Sequence, residues 1–216
     1  MSNIFKVFRL DMLIIKQYIK TILYFLLIPV LFVMSTKSIV SGIITTMTLI
    51  PMRAISVVFL SEEKNNINKF YGFIPVKKTD LVFGRYFSII VIGIISLLIS
   101  IVLQSFILIP NNVHIEVNDL FISLFLGITV YFISISLQIP GFYKLGGING
   151  AIFSYVPLIV FFIFNYLIGS LDIFGIKTLE IISKNLALIS IIVLFISIIV
   201  LLLSIKISIK ILKIKE

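Results

Sequence analysis

The chain contains no cysteine and no tryptophan, and His114 is its single histidine. Without cysteine there can be no disulfide framework, no thiolate nucleophile and no thiolate metal ligand. One histidine excludes metal centres that need several imidazole ligands and haem held between two histidines. We therefore expect neither a catalytic site nor a metal site in this chain.

Charged residues are also scarce. They make up 12% of the 216 residues, whereas hydrophobic residues make up 60% and the mean hydropathy is +1.25. A soluble domain is about 25% charged, so this composition excludes a soluble enzyme, a disordered regulator and a nucleic-acid-binding module. Lipid is the expected surroundings, and no nucleic-acid partner is expected.

Apolar runs of membrane-spanning length lie between the few charges. A spanning helix needs roughly 17–25 predominantly apolar residues. The runs cover residues 21–36, 39–60, 86–109, 120–139, 150–169 and 186–205. No linker, low-complexity tract or internal repeat interrupts them. We predict an all-α membrane protein with six spans in one domain over residues 1–216, whose short first span begins inside the preceding polar stretch.

The cations are distributed unevenly between the two sides of such a bundle. With the N-terminus in the cytoplasm, fourteen of the 18 Lys and Arg residues lie in cytoplasmic segments and three in external ones. An excess of Lys and Arg marks cytoplasmic loops. We therefore expect both termini in the cytoplasm.

Residues 1–20 form a basic amphipathic pattern. Five polar positions share one arc of a helix, namely Lys6, Arg9, Lys16, Gln17 and Lys20. Apolar residues occupy the other side at a spacing of three to four. The pattern predicts an interfacial helix that precedes the first span. Charged residues recur through this stretch and no small-residue cleavage site follows, so we expect no cleavable signal peptide.

Two charges stand in apolar surroundings. Asp11 falls among the apolar positions of the first helix, and Arg53 follows Pro51 inside the second span. Asp11 either pairs with a Lys or Arg inside the bundle or takes part in proton coupling. Arg53 either lines the transport pathway, or reaches the interface or pairs with Asp11, Glu62 or Glu63.

The longest polar segment is EEKNNINKFYGFIPVKKTDLVFGR, residues 62–85. It is cytoplasmic by the distribution of cations. Apolar residues repeat at helical spacing within it, at Ile67, Phe70, Tyr71 and Ile74. A short amphipathic helix exposed to the cytoplasm either docks on a partner protein or lies on the lipid surface.

Three stretches match the pattern of a known family. They are Arg9 to Leu13 with Lys16; then Glu63-Lys64-Asn65, Ile74 to Lys78 and Leu81 to Tyr86; and finally Pro140, Tyr143, Lys144 and Gly146. With six spans and this length, the chain resembles the ABC-2 type transporter permeases. It is most similar to the small permeases of peptide exporters, such as the phenol-soluble modulin exporter.

The resemblance implies an exporter in the bacterial cytoplasmic membrane that moves an amphipathic peptide or a hydrophobic small molecule. Two permeases, identical or different, would pair, and each would bind a separate ABC ATPase subunit through a coupling helix near Ile67–Phe73. The residues implied in that contact are Glu62, Glu63, Lys64, Ile67, Phe70, Tyr71 and Phe73. The chain has no G-x-x-x-x-G-K-[ST] loop, so ATP and Mg²⁺ would bind to the ATPase and no cofactor to this chain.

Two other functions compete with this one. A six-span secondary transporter or substrate-capture subunit would not need the 62–85 loop. An intramembrane enzyme could use the Glu62-Glu63 pair, but the chain lacks the second histidine that such a site requires.

Overall fold

The structure is a computed structural model that describes residues 3–67, 77–110, 117–173 and 176–214. Burial of side chains is described outside 117–119, 164–165 and 167–189. Every regular element in these ranges is helical. The helices are α1 Asn3–Gln17, α2 Ile19–Tyr24, α3 Leu27–Thr36, α4 Ile39–Lys64, α5 Lys78–Leu108, α6 Val117–Leu145, a 3-10 helix Asn149–Tyr155, α7 Val156–Ile173 and α8 Ile176–Ile214.

Several of these helices can cross a membrane by their length and composition. In the described residues there are five such segments: Ile19–Thr36, Ile39–Lys64, Lys78–Leu108, Leu120–Leu145 and Ser190–Ile214. The prediction of an all-α, multi-pass membrane protein is confirmed. The fifth predicted span, 150–169, starts as the 3-10 helix and continues as α7. The count of six spans and the cytoplasmic position of both termini stay predictions.

Helix α4 is the central element of the bundle. All of its residues from Gly42 to Met52 and from Ala54 to Phe59 are buried. It packs against α1, α2, α3, α5, α6, α7 and the 3-10 helix. A helix that is buried on every side lies in the interior of a bundle. The remaining helices therefore shield α4 from the lipid.

The junction between α1 and α2 at Tyr18, called the elbow below, leads into the first segment that can span a membrane. Helix α1 ends at Gln17, and α2 begins at Ile19 after a break at Tyr18. A second break separates α2 from α3, and Lys37 then takes a left-handed φ of 50° before α4 begins. The first span therefore starts at Ile19, inside the stretch that the sequence predicts to be interfacial.

Hydroxyl groups connect three helices beside Arg85, two turns into α5. The Tyr86 hydroxyl in α5 lies 2.6 Å from the Ser204 hydroxyl and 3.1 Å from that of Ser208, both in α8. Ser204 in turn donates to the carbonyl of Ser136 in α6, at 2.7 Å. Polar side chains inside a membrane bundle stabilise helix packing by forming hydrogen bonds between helices. These contacts join α5, α6 and α8.

Gly93 allows α5 to approach α6 closely. A Cβ atom at this position would lie 2.4 Å from the ring of Tyr131, and that ring is held because its hydroxyl donates to the carbonyl of Ile89. We expect Gly93→Ala to lower the free energy of unfolding by about 1–3 kcal/mol, because the ring must shift. Unfolding by SDS in mixed micelles measures the loss.

The neighbouring position gives the control for this substitution. Ile94 is 57% exposed on the lipid side, so Ile94→Ala should change stability by less than about 0.5 kcal/mol. Equal stability of the Gly93→Ala protein and the wild type would show that the two helices do not meet at this position.

Candidate functional site

Three charged side chains from three helices meet in the interior of the bundle. Arg85 of α5 pairs with Asp11 of α1, Nη1 to Oδ1 at 3.2 Å, and its Nη2 donates to Oε1 of Glu62 in α4. The exposed fraction is 1% for Arg85, 0% for Asp11 and 4% for Glu62. A guanidinium suits this position because its planar fork can bond to two carboxylates at once. Asp11, Glu62 and Arg85 are called the charge cluster below.

The sequence brings α1 and α5 together at the charge cluster. Val7, Asp11 and Ile14 are the buried residues of α1, at a spacing that places them on one face. A Cβ at Gly84 would lie 2.7 Å from Val7, so the missing side chain lets the two helices touch. One turn after Gly84, Ser88 donates its hydroxyl to Oδ2 of Asp11 at 2.8 Å. Oδ2 of Asp11 therefore accepts a hydrogen bond, whereas Oδ1, among the described residues, faces Arg85 as an ion pair without a hydrogen bond.

Aromatic rings cover the charge cluster. The Arg85 guanidinium lies over the Phe59 ring at 4.7 Å from its centroid. Phe59 stacks on Phe142 at 4.7 Å, and Tyr143 meets it edge-on at 5.3 Å. The buried Tyr143 hydroxyl has no hydrogen-bond partner among the described residues. Rings with a cation over one of them exclude water and strengthen the ion pairs beside them.

Two carboxylates share one guanidinium in the charge cluster. Burial raises the pKa of Asp11 from 3.8 to about 7; the Arg85 charge opposes this rise, and the Glu62 charge adds to it. Asp11 lies in α1, which precedes the first segment that can span the membrane. A carboxyl group in such surroundings holds a proton near neutral pH.

Glu63 makes a separate contact. Its Oε2 accepts hydrogen bonds from the backbone N–H groups of Gly147 and Ile148, the latter at 2.8 Å. These groups belong to the turn after α6, where Gly146 has a φ of +89°. Successive N–H groups in such a turn form a concave anion-binding site. The turn also touches α4 directly, since a Cβ at Gly147 would lie 2.3 Å from the Phe59 carbonyl oxygen.

The structure places Arg53 away from the charge cluster. We expected Arg53 to reach the interface, line the pathway or pair with Asp11, Glu62 or Glu63. Asp11 and Glu62 instead pair with Arg85, and Glu63 binds the backbone of the turn after α6. The Arg53 guanidinium lies 5.6 Å from the centroid of the Phe25 ring, and its buried Nε has no hydrogen-bond partner in the described part of the chain.

The structure describes four of the predicted ATPase-contact residues, and their surroundings differ. Glu62 points inward, and Glu63 binds the turn after α6. Lys64 is exposed at the end of α4, and Ile67 packs on the apolar cluster of Ile14, Val57 and Val58. Phe70, Tyr71 and Phe73 lie outside the described residues. The pairing of Arg85 was not predicted from the sequence. The signal that could have indicated it is a cation between Gly84 and Tyr86 at the start of a long apolar run.

The raised pKa of Asp11 has a consequence for stability. Between pH 3.8 and about 7 the folded protein holds a proton on Asp11 that the unfolded chain releases. Stability must therefore fall as the pH rises through this interval, by up to roughly 4 kcal/mol, and stay level above it. We expect Asp11→Asn to remove most of this slope, as measured by SDS unfolding midpoints from pH 5 to pH 8.

Asp80→Asn is the matched control for this experiment. Asp80 lies in the first turn of α5 and outside the charge cluster, so its amide variant should keep the wild-type dependence on pH. Parallel curves for Asp11→Asn and the wild type would contradict the assignment of the proton to Asp11.

Comparison with protein families agrees with the motifs in the sequence. A family model described as "ABC-2 family transporter protein" matches residues 6–213. No curated protein and no solved structure matches the chain. The family match includes all three members of the charge cluster and nearly the whole chain. The chain therefore belongs to the ABC-2 family of transporter proteins, as a multi-pass membrane component.

Proposed function

We propose that this chain is the permease subunit of an ATP-driven exporter in the bacterial cytoplasmic membrane. Its cargo is an amphipathic peptide or a hydrophobic small molecule. A separate ABC ATPase binds ATP and Mg²⁺ and docks on the cytoplasmic loop between α4 and α5. A second permease, identical or different, completes the path. The family match supports the transport role, and the contact between Glu62 and Arg85 at the two ends of the loop supports the coupling.

The two ends of the loop are joined by a buried ion pair. Glu62 lies in the last turn of α4, and Arg85 lies two turns into α5. Buried charges that lose a partner are costly, at about 3–5 kcal/mol, so this contact resists separation. A force on the loop then moves the ends of α4 and α5 as one unit. Without the ion pair, bending of the loop would absorb the force.

The same contact carries motion to the N-terminal helix. Asp11 joins α1 to Arg85, and Ser88 adds a second bond between α1 and α5. Helix α1 leads through the elbow at Tyr18 into the first span. A displacement of the loop is thus expected to tilt α1 and the beginning of that span.

Glu63 extends the coupling to the other half of the subunit. Its carboxylate binds the backbone of the turn after α6. Adjacent residues of α4 therefore face two different sets of partners. Glu62 contacts Arg85 of α5, which in turn contacts α1, whereas Glu63 contacts the turn between α6 and the 3-10 helix. This arrangement lets one ATPase contact shift both groups of helices together.

Burial separates the residues that support the loop from those that meet the ATPase. Glu62 is buried, so we assign it to the support of the loop and not to direct contact. Lys64 is exposed and faces the side where the ATPase would dock. The apolar positions from Ile67 to Phe73 form the proposed coupling helix, with Phe70 and Tyr71 as its aromatic anchors.

Alanine substitution of these anchors tests the docking. We expect Phe70→Ala with Tyr71→Ala to reduce recovery of the ATPase in a pull-down from membranes at least about tenfold, because aromatic anchors dominate interface energies. Tyr24→Ala with Phe106→Ala is the control, since both side chains are exposed on the lipid side, at 70% and 75%.

Two outcomes would count against the proposed docking. Unchanged recovery of the ATPase by the Phe70 and Tyr71 variant would remove the contact from this loop. Export that persists in cells without the ATPase would favour the secondary transporter or substrate-capture subunit.

Substitution of Glu63 tests the coupling separately from docking. Glu63→Gln keeps the size of the side chain but weakens the bonds to the turn, since hydrogen bonds to a charged acceptor are about twice as strong as neutral ones. We expect normal ATPase binding and a transport rate per ATP hydrolysed that falls several-fold in proteoliposomes. Ser105→Ala in α5 is the control, because its hydroxyl donates to the carbonyl of Ile101 in the same helix.

Whether Glu63→Gln reduces ATPase binding or transport per ATP distinguishes a docking role from a coupling role. If Glu63→Gln releases the ATPase instead, Glu63 belongs to the docking surface. If transport per ATP is unchanged, the turn after α6 takes no part in coupling.

A further inference from the structure

An apolar cleft lies between the N-terminal elbow and the body of the bundle. Its volume is about 250 Å³, and α1, α2, α4 and α5 all contribute to its walls. The side chains used in the argument are Met12, Ile15, Leu23, Ile50, Ala54 and Ile95. The floor of the cleft is a packed cluster that includes Ile22, Ile50, Ala54 and Ile92.

The lining indicates the chemistry of the occupant. All the side chains that line the cleft are aliphatic or thioether groups except Lys16. Such a surface offers no hydrogen-bond partners to a polar ligand and favours hydrocarbon. An apolar cavity of roughly 150 Å³ takes up one benzene molecule, so this cleft has room for on the order of ten chain carbons.

Charge is present only at the edge of the cleft in the described residues. Lys16 lies in the last turn of α1 and is exposed. Lys20 is exposed one turn further along the chain. Long cationic side chains keep the ammonium at the level of the headgroups while their stems lie along apolar surface. The edge of the cleft is therefore complementary to an anion.

The position of the elbow relates the cleft to a bilayer. Helix α1 precedes the first segment that can span the membrane, and that segment starts at Ile19. The cleft thus lies where the headgroup level gives way to the level of the acyl chains. Lipid molecules present an apolar chain and a charged group at this depth.

We propose that this cleft binds one acyl chain of an anionic phospholipid, with Lys16 contacting the headgroup. The lipid comes from the leaflet on the side of α1. The bound acyl chain fills the gap between the elbow and the body of the bundle, so it holds α1 and α2 against α4 and α5. Because the chain belongs to a multi-pass membrane family whatever its cargo, this inference does not rest on the proposed exporter function.

Photocrosslinking tests the site. The full-length chain is placed in nanodiscs that contain phosphatidylglycerol with a diazirine on one acyl chain, and the labelled peptides are identified by mass spectrometry. We expect labelling of residues 12–26 and 92–99. Unlabelled phosphatidylglycerol should compete about fivefold better than phosphatidylcholine, which is the effect of about one lysine near an anionic surface.

Variants separate the chain contact from the headgroup contact. Ile95→Phe and Leu23→Phe each place a larger group in the cleft from opposite walls, and both residues are about half exposed, at 47% and 49%. Each should reduce labelling at least about fivefold. Ile94→Phe is the control, since Ile94 is the adjacent lipid-facing residue outside the cleft.

Lys16→Gln should abolish the preference for phosphatidylglycerol, whereas Lys144→Gln, an exposed lysine at the end of α6, should keep it. If either Ile95→Phe or Leu23→Phe misfolds, the other variant still tests whether the cleft binds the acyl chain. Equal competition by phosphatidylcholine, or full labelling in the folded cleft-filling variants, would overturn the proposal. So would displacement of the probe by an amphipathic peptide but not by unlabelled phosphatidylglycerol.

Discussion

The contact of one guanidinium with two carboxylates holds three helices together at one place. A buried charge without a partner is far more costly than a typical helix contact. Asp11, Glu62 and Arg85 must therefore stay together wherever their helices move. Because each residue comes from a different helix, this requirement makes α1, α4 and α5 move as a unit where they meet.

Helix α4 is the common partner in this arrangement. It is buried along nearly its whole length, and its last turn carries two neighbouring glutamates that face different elements. Glu62 contacts Arg85 of α5 and through it α1, whereas Glu63 contacts the turn after α6. The loop proposed to receive the ATPase begins directly after these residues. The last turn of α4 thus lies directly beside the loop that is proposed to bind the ATPase.

The periodicity and length of apolar runs were enough to predict the fold class and the N-terminal helix. The predicted spans lie within α4, α5, α6 and α8 almost throughout, but the helices run further than the apolar runs: α5 begins at Lys78 and not at residue 86, and α8 covers Ile176–Ile214 and not 186–205. The partners of charged residues depend on how helices rotate against one another, and a sequence carries no direct record of that rotation. This is why Arg53 could be expected to pair with Asp11, when Arg85 is the residue that does so. Glu62 and Glu63 were singled out, but their different partners, Arg85 and the turn after α6, could be seen only in the folded chain.

The hydroxyl groups of α4 have a consequence for how the protein is made. Thr45, Thr46, Thr48 and Ser56 each bond to a backbone carbonyl three or four residues earlier in their own helix. These groups are therefore satisfied without any neighbour. A helix that ends up at the centre of the bundle is synthesised before α5, α6 and α8, and it must wait in lipid for them. Self-satisfied hydroxyls let α4 leave the insertion machinery early and still present a packing surface when the later helices arrive.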